Sequence, residues 1–189
     1  MKTRLHALRA ALCLLVAAAG AAHALDITDD RGRKVHFDRP PQRIVTLLPS
    51  LTESVCGLNE CQRLVGVDRY SNYPESVRQL PQVGGGIDPN VEAIVALRPE
   101  VVMLATSSRA SERLEALGIK VVALEPKTHA SVQRVLRQVA TVLGAPPSEA
   151  DRLWRVIDAG VEAAAQSLPP QARRARVYFE VSRGPYAAG

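Results

Sequence analysis

The sequence predicts an α/β fold in which a mostly parallel sheet carries helices on both faces. Apolar runs of strand length, rich in β-branched residues, recur at 44–48, 64–67, 101–105 and 119–124. Helical segments with capping residues lie between them, and such βα alternation is typical of a parallel sheet. Gly118 and Gly144 follow two of these segments, where glycine commonly ends a helix.

Residues 1–24 have the pattern of a cleavable export signal. Lys2, Arg4 and Arg9 precede a short apolar run, and Ala22-His23-Ala24 is a small-x-small cleavage site. The run is shorter than the roughly 20 residues of a membrane-spanning helix. We therefore expect a soluble mature protein in the periplasm. Without the three leader cations the formal net charge falls from +5 to +2, which disfavours a nucleic-acid partner.

Residues 25–42 read as a β-hairpin and a lead-in to the main lobe. LDIT and KVHF alternate apolar and polar residues around the turn-forming segment 29–33. His36 falls on the polar side of this pattern, where a surface role is favoured over a ligand role. Only His36 and His129 remain after cleavage, so no metal site of the protein's own is expected.

The first strand of the lobe, Ile44 to Leu48, leads into a helix whose start can bind polar groups. Ser50-Leu51-Thr52-Glu53 fits the S-x-x-E capping box. A capping role is therefore favoured for Glu53, while the free amides of the same turn suit an anionic or polar ligand group.

Cys56 and Cys61 are the cysteines of the mature part. Exported chains live under oxidising conditions, so a disulfide is the favoured interpretation. A metal pair is the alternative, although no further ligand lies at a suitable spacing.

Two polar segments follow the second strand. In the loop Asp68 to Pro74, Tyr70 and Tyr73 can present apolar faces with polar tips, Tyr70 being the more probable ligand contact. The triple glycine that comes next allows a ligand or another backbone to approach closely, but fits neither phosphate-loop pattern. The residues expected to line a ligand site are Pro49, Ser50, Tyr70, Tyr73, Gly84, Gly85 and Gly86.

The rest of the chain suggests a division into segments. Asn90 is expected to cap a helix at Val91 to Leu97, with Glu92 in its first turn, where the helix dipole favours a carboxylate. A long helix over Ser148 to Leu168 carries a stripe of apolar residues, read as core packing, and a new strand is expected from Arg176 to Val181. The predicted segments are the signal (1–24), hairpin (25–42), α/β ligand-binding lobe (43–147), linker helix (148–170) and the start of a truncated C-terminal lobe (171–189).

Five segments of the chain resemble the class III periplasmic binding proteins of ABC importers, most closely the cobalamin-binding members. They are RIVTLLPSLTE, LVGVDRYSNYP, LPQVGGG, NVEAIVALRPEVV and LGIKVV. The resemblance implies two α/β lobes joined by one long helix, with Ser148 to Leu168 as that helix. It also implies a monomeric, non-catalytic protein that captures a metal chelate and delivers it to an inner-membrane permease.

The same resemblance implies roles for particular residues. Glu92 matches the acidic residue of the N-x-E motif that pairs with permease arginines, and Tyr70 matches a loop tyrosine that contacts the corrin ring. Gly86 and Ala105 stand where corrinoid-binding members carry tryptophans, which reduces the stacking surface. A cobalamin-like corrinoid is the first expectation for the ligand, with haem or a ferric siderophore as alternatives.

An exported hydrolase that uses Ser50 or Glu53 is the rival from another class. The sequence has no G-x-S-x-G elbow, no paired histidine and no carboxylate dyad, all of which disfavour it. No catalytic residue is therefore assigned.

Overall fold

The computed structural model of the chain describes residues 24–169, 171–172 and 175–176. The export signal, apart from Ala24, and the strand expected at 176–181, apart from Arg176, lie outside the described residues. The chain divides into two compact units, the first ending at Leu153 and the second beginning at Trp154. Among the described helices, none is long and apolar enough to cross a membrane.

The predicted hairpin is present. Strands β1 (Leu25–Thr28) and β2 (Lys34–Phe37) pair antiparallel, with Leu25 opposite Phe37. His36 lies on the exposed side, as its position in the alternation indicates, and its ring lies 2.9 Å from an Asp26 carboxylate oxygen. This hydrogen bond raises the pKa of His36 above its usual value.

A four-stranded parallel sheet forms the centre of the first unit, so the predicted fold class is confirmed. Its strands lie in the order β4-β3-β5-β6. Their bounds are β3 Ile44–Thr46, β4 Leu64–Val67, β5 Val101–Leu104 and β6 Lys120–Ala123. Each lies inside or coincides with an apolar run that predicted it.

Helices cover both faces of this sheet because alternate strand residues point to opposite sides. On one face, Val45 and Val102 pack with Ile94 and Leu114 in a fully buried cluster. On the other face, buried Thr46 of β3 hydrogen-bonds to Thr52 of the first helix.

The helices are α1 Pro49–Gly57, α2 Val91–Ala96, α3 Ser111–Ala116, α4 His129–Leu143 and α5 Pro147–Ser167. Short 3-10 turns occur at Cys61–Arg63 and Glu75–Gln79. As predicted, Asn90 caps α2, its side chain accepting from the amide of Ala93 at 2.9 Å. Gly144 ends α4 in the left-handed conformation, at a φ of 66°.

The predicted capping box at Ser50 is wrong. Helix α1 begins at Pro49, two residues earlier than the box predicts, and its N-cap residue Leu48 has no polar side chain. The fixed φ of proline suits the first helical position, so Ser50 falls inside the first turn. There its carbonyl accepts from the Ser54 hydroxyl at 2.6 Å, and Glu53 is exposed.

The prediction that the whole apolar stripe of α5 packs into a core is also wrong. Leu153 is half-buried and contacts Gly57, but Val161, Ala164 and Leu168 are exposed.

Candidate functional site

The candidate site lies at the carboxyl edge of the parallel sheet. The chain leaves β3 at Leu47, β4 at Asp68, β5 at Ala105 and β6 at Leu124, and all four departures are on this edge. Open α/β sheets bind their ligands at such an edge, outside the carboxyl ends of the strands.

A buried hydrogen-bond network holds the loop after β4 in place. The hydroxyls of Thr46 and Thr52 are 2.7 Å apart, and Thr52 is 2.8 Å from the hydroxyl of Ser71. Ser71 in turn donates to Asp68 at 2.6 Å, and the other oxygen of that carboxylate accepts from the amide of Tyr70 at 2.8 Å. All four network side chains are buried, so the tyrosine loop is fixed to both β3 and α1.

The tyrosines that this network positions remain accessible. Tyr70 is 64% exposed and Tyr73 is 66% exposed, which is unusual for large aromatic residues within one short loop. The guanidinium of Arg69 lies 6.0 Å from the centroid of the Tyr70 ring, within cation–π range. The loop thus presents aromatic surface beside a positive charge.

The triple glycine lies against the tyrosine loop. The amide of Arg69 donates to the carbonyl of Gly84 at 2.8 Å. Gly84 has a φ of 96°, and a Cβ on Gly86 would lie 2.4 Å from the carbonyl oxygen of Leu47. Close backbone approach therefore explains Gly84 and Gly86, whereas a Cβ on Gly85 would make only ordinary contacts.

The start of α1 completes the group of predicted ligand residues. Pro49 is half-buried and Ser50 is exposed. The edge therefore brings together the tyrosines, the glycines and the first turn of α1. The ring of His36 is hydrogen-bonded to Asp26, and the arrangement at this edge gives the hydrolase interpretation no support.

Sequence reasoning missed a polar cavity at the same edge. It has a volume of about 450 Å³ and lies beyond the ends of β5 and β6. Its walls include Asp30, Thr106, Glu125, Lys127 and Arg134. Arg134 and Asp30 form an ion pair there, and Thr106 donates to Glu125. The sequence signal for this cavity was the pair of polar residues, Thr106 and Glu125, that directly follow two of the predicted strands.

Glu92 lies on the first turn of α2, two residues after the capping residue Asn90. Its carboxylate forms a 2.6 Å ion pair with Arg113 of α3, and both side chains are mostly exposed. Beside the pair, an apolar groove of about 420 Å³ is lined by Val91, Val95 and Leu117.

The cysteines also lie away from the ligand edge, between the end of α1 and the turn before β4. The structure places the sulfur atoms of Cys56 and Cys61 1.94 Å apart. No cluster of potential metal ligands occurs in the part of the chain that the structure describes.

The profile of the periplasmic binding protein family matches residues 44–189, and the chain belongs to this family. With the parallel sheet and its binding edge, this defines a class III periplasmic binding protein of ABC importers. Members of this family bind substrates and are not enzymes.

Individual relatives differ in what their names say they bind. The chain is 32% identical to a vitamin B12-binding protein of Pectobacterium carotovorum over 59% of its own length and 41% of that protein. It is 30% identical to a cobalamin-binding protein of Halobacterium salinarum, over 85% of this chain and 45% of the relative. The chain thus spans less than half the length of these relatives.

Among solved structures, a periplasmic haem-binding protein from Pseudomonas aeruginosa superimposes with a TM-score of 0.62 at 28% identity. The match covers 67% of this chain and 46% of that one. The vitamin B12-binding protein of Vibrio cholerae gives a TM-score of 0.58 at 23% identity, covering 66% and 49% of the two chains, a likeness of fold alone.

Proposed function

We propose that this protein is the periplasmic solute-binding component of an ABC importer and that its cargo is a metal chelate with a flat ring system. It would hold the cargo at the carboxyl edge, against Tyr70, Tyr73 and the first turn of α1. It would then deliver the cargo to an inner-membrane permease without chemical turnover.

The observation that carries this proposal is the pair of exposed tyrosines on a loop fixed by a buried network. Exposed aromatic surface is costly unless a ligand covers it, and a rigid loop lowers the entropy lost on binding. Gly85, beside the loop, has no side chain that would cover this surface. Membership of the periplasmic binding protein family supports an ABC importer as the partner.

A corrinoid is the first candidate for the cargo because the sequence relatives named above bind cobalamin. Haem is the second candidate, favoured by the haem-binding structure at 28% identity. In either case Tyr70 would contact the face of the ring.

Visible absorbance titration of the full-length protein with cobalamin and with haem tests the proposal. A saturable shift at one-to-one stoichiometry with one of them is expected. Because stacking on an aromatic side chain contributes about 1 kcal/mol, Tyr70→Ala should weaken binding roughly fivefold. Lys34→Ala, at an exposed position of β2, is the control and should leave affinity unchanged. Turnover of the bound molecule, or no binding of either, would contradict the proposal.

A further inference from the structure

The edge that carries the tyrosines also carries two arginines that form no ion pair with a carboxylate of residues 24–169. We propose that Arg69 and Arg109 bind an oxyanion of the cargo, a carboxylate or a phosphate, beside the apolar surface that holds its ring. This inference rests on the proposed function and adds the chemical group that the site selects.

Arg69 connects the tyrosine loop to the glycine segment. Its guanidinium lies near the ring of Tyr70, as described above, and its Nε would lie 3.8 Å from a Cβ on Gly85. The absence of a side chain at Gly85 therefore leaves one face of this guanidinium open, and the residue as a whole is exposed.

Arg109 borders the other end of the same segment. Its amide donates to the carbonyl of Ile87 at 3.1 Å, which ties the loop after β5 to the residues that follow the glycines. Arg109 is exposed, and the side chain of Ile87 is 61% exposed. The two arginines thus stand at either end of the strip 84–87, with apolar surface beside each of them.

These two cations differ from many of the arginines that the structure describes. Ion pairs with carboxylates engage many of the others, among them Arg31, Arg33, Arg39, Arg63, Arg113, Arg134 and Arg137. Across residues 24–169, neither Arg69 nor Arg109 has such a partner. Asp88, the residue directly after this strip, is exposed and forms no ion pair with either arginine within residues 24–169.

The chemistry of guanidinium defines what this strip would select. Its planar fork of donors matches a carboxylate or a phosphate, and it remains charged at all physiological pH values. Flat metal chelates offer both groups: haem carries two propionate carboxylates, and cobalamin carries a phosphodiester. Each has a close relative without the acidic group, namely haem dimethyl ester and cobinamide.

The experiment compares these matched probes on the full-length protein. The wild-type protein should bind the acidic member of one pair more tightly than the member that lacks the acidic group. Arg69→Gln and Arg109→Gln should each weaken the acidic probe by about threefold to tenfold, as for a partly exposed charged contact. The affinity for the probe without the acidic group should change less than twofold. The difference in affinity between the two probes of a pair should shrink as the salt concentration is raised.

Two variants serve as controls. Lys34→Gln removes one positive charge from the hairpin and should leave all affinities unchanged. Arg69→Lys keeps the charge and should recover part of the selectivity. If a substitution of Arg69 lowers the affinity equally for both probes of a pair, the loss reflects the contact between Arg69 and Tyr70 and not recognition of the oxyanion.

The result also identifies the oxyanion. Tighter binding of haem than of its dimethyl ester points to a carboxylate, and tighter binding of cobalamin than of cobinamide points to a phosphate. Equal binding of both members of a pair, or equal losses in the Arg69→Gln/Arg109→Gln double variant, would overturn the inference while the proposed function stands. Failure of the wild-type protein to bind any of the four probes would overturn the proposed function and this inference together.

Discussion

At the scale of single residues, Asp29 joins the hairpin to the sheet through one buried carboxylate. It accepts from the amides of Arg31 and Arg33 and from the Arg31 side chain, each at 2.9 Å, and from the amide of Ala123 at 3.2 Å. Burial alone would raise the pKa of Asp29, but the hydrogen bonds, led by the one from Arg33, outweigh it and lower the pKa.

Asp29→Asn should destabilise the protein at neutral pH by about 2–4 kcal/mol, since buried donors then lose an anionic acceptor. A carboxyl group whose pKa is lower in the folded protein adds stability at pH values above its pKa in the unfolded chain. That stability is lost as the pH falls through the pKa of the folded state. The difference in the free energy of unfolding between the wild-type protein and Asp29→Asn should therefore shrink below about pH 4. Urea unfolding of both proteins at pH 7 and at pH 3 measures it.

Asp26→Asn, which changes an exposed carboxylate of the same hairpin, is the matched control and should change the free energy of unfolding by less than about 1 kcal/mol. A difference between wild-type protein and Asp29→Asn that did not depend on pH would contradict the account of the Asp29 carboxylate.

At the scale of elements, the glycine segment is packed against the end of β3. A methyl group at Gly86 would collide with the backbone carbonyl of Leu47, which cannot move without disturbing the sheet. We expect Gly86→Ala to cost about 1–3 kcal/mol, the usual range for overpacking. Thermal and urea unfolding of the variant would measure this loss.

Gly85→Ala is the matched control because its added methyl group would meet only the flexible Arg69 side chain at 3.8 Å. It should change stability by less than about 0.5 kcal/mol. Equal effects of the two substitutions would show that the contact at Leu47 is not what requires glycine here.

The elements also show how far sequence patterns determine the structure. Hydrophobic runs located every strand of the sheet, and Asn90 located the start of α2, because these signals are local. The S-x-x-E pattern wrongly predicted Ser50 as the N-cap of α1, because the neighbouring Pro49 favours an earlier start of the helix. The tyrosine loop was recognisable from composition, but the link between Thr46 and Ser71 depends on tertiary packing.

Arg69 and Arg109 illustrate the same limit at the candidate site. They are 40 residues apart in sequence, and only the fold brings both to the segment between Gly84 and Ile87. Nothing in their local sequence distinguishes them from arginines that form ion pairs.

At the scale of the whole molecule, cargo binding and permease docking would use separate surfaces. Glu92 is proposed to meet permease arginines, and its exposed pair with Arg113 contributes little to stability, so exchange of partners would cost little. Glu92→Gln should therefore lower cargo uptake by cells while cargo affinity and the free energy of unfolding stay the same.

Glu112→Gln, an exposed carboxylate on α3, is the control for charge and should support normal uptake. Unchanged uptake by Glu92→Gln would contradict the docking role, and weaker cargo binding by the purified variant would contradict the separation of the two surfaces.

Both outer strands of the sheet have their backbone groups occupied at the ends nearest the ligand. Val67 of β4 exchanges hydrogen bonds with Pro81 and Val83, and Ala123 of β6 receives the amide of Asp30 while donating to Asp29. An open strand edge is a template for pairing with another chain. The folded chain would therefore resist edge-to-edge aggregation at these two places.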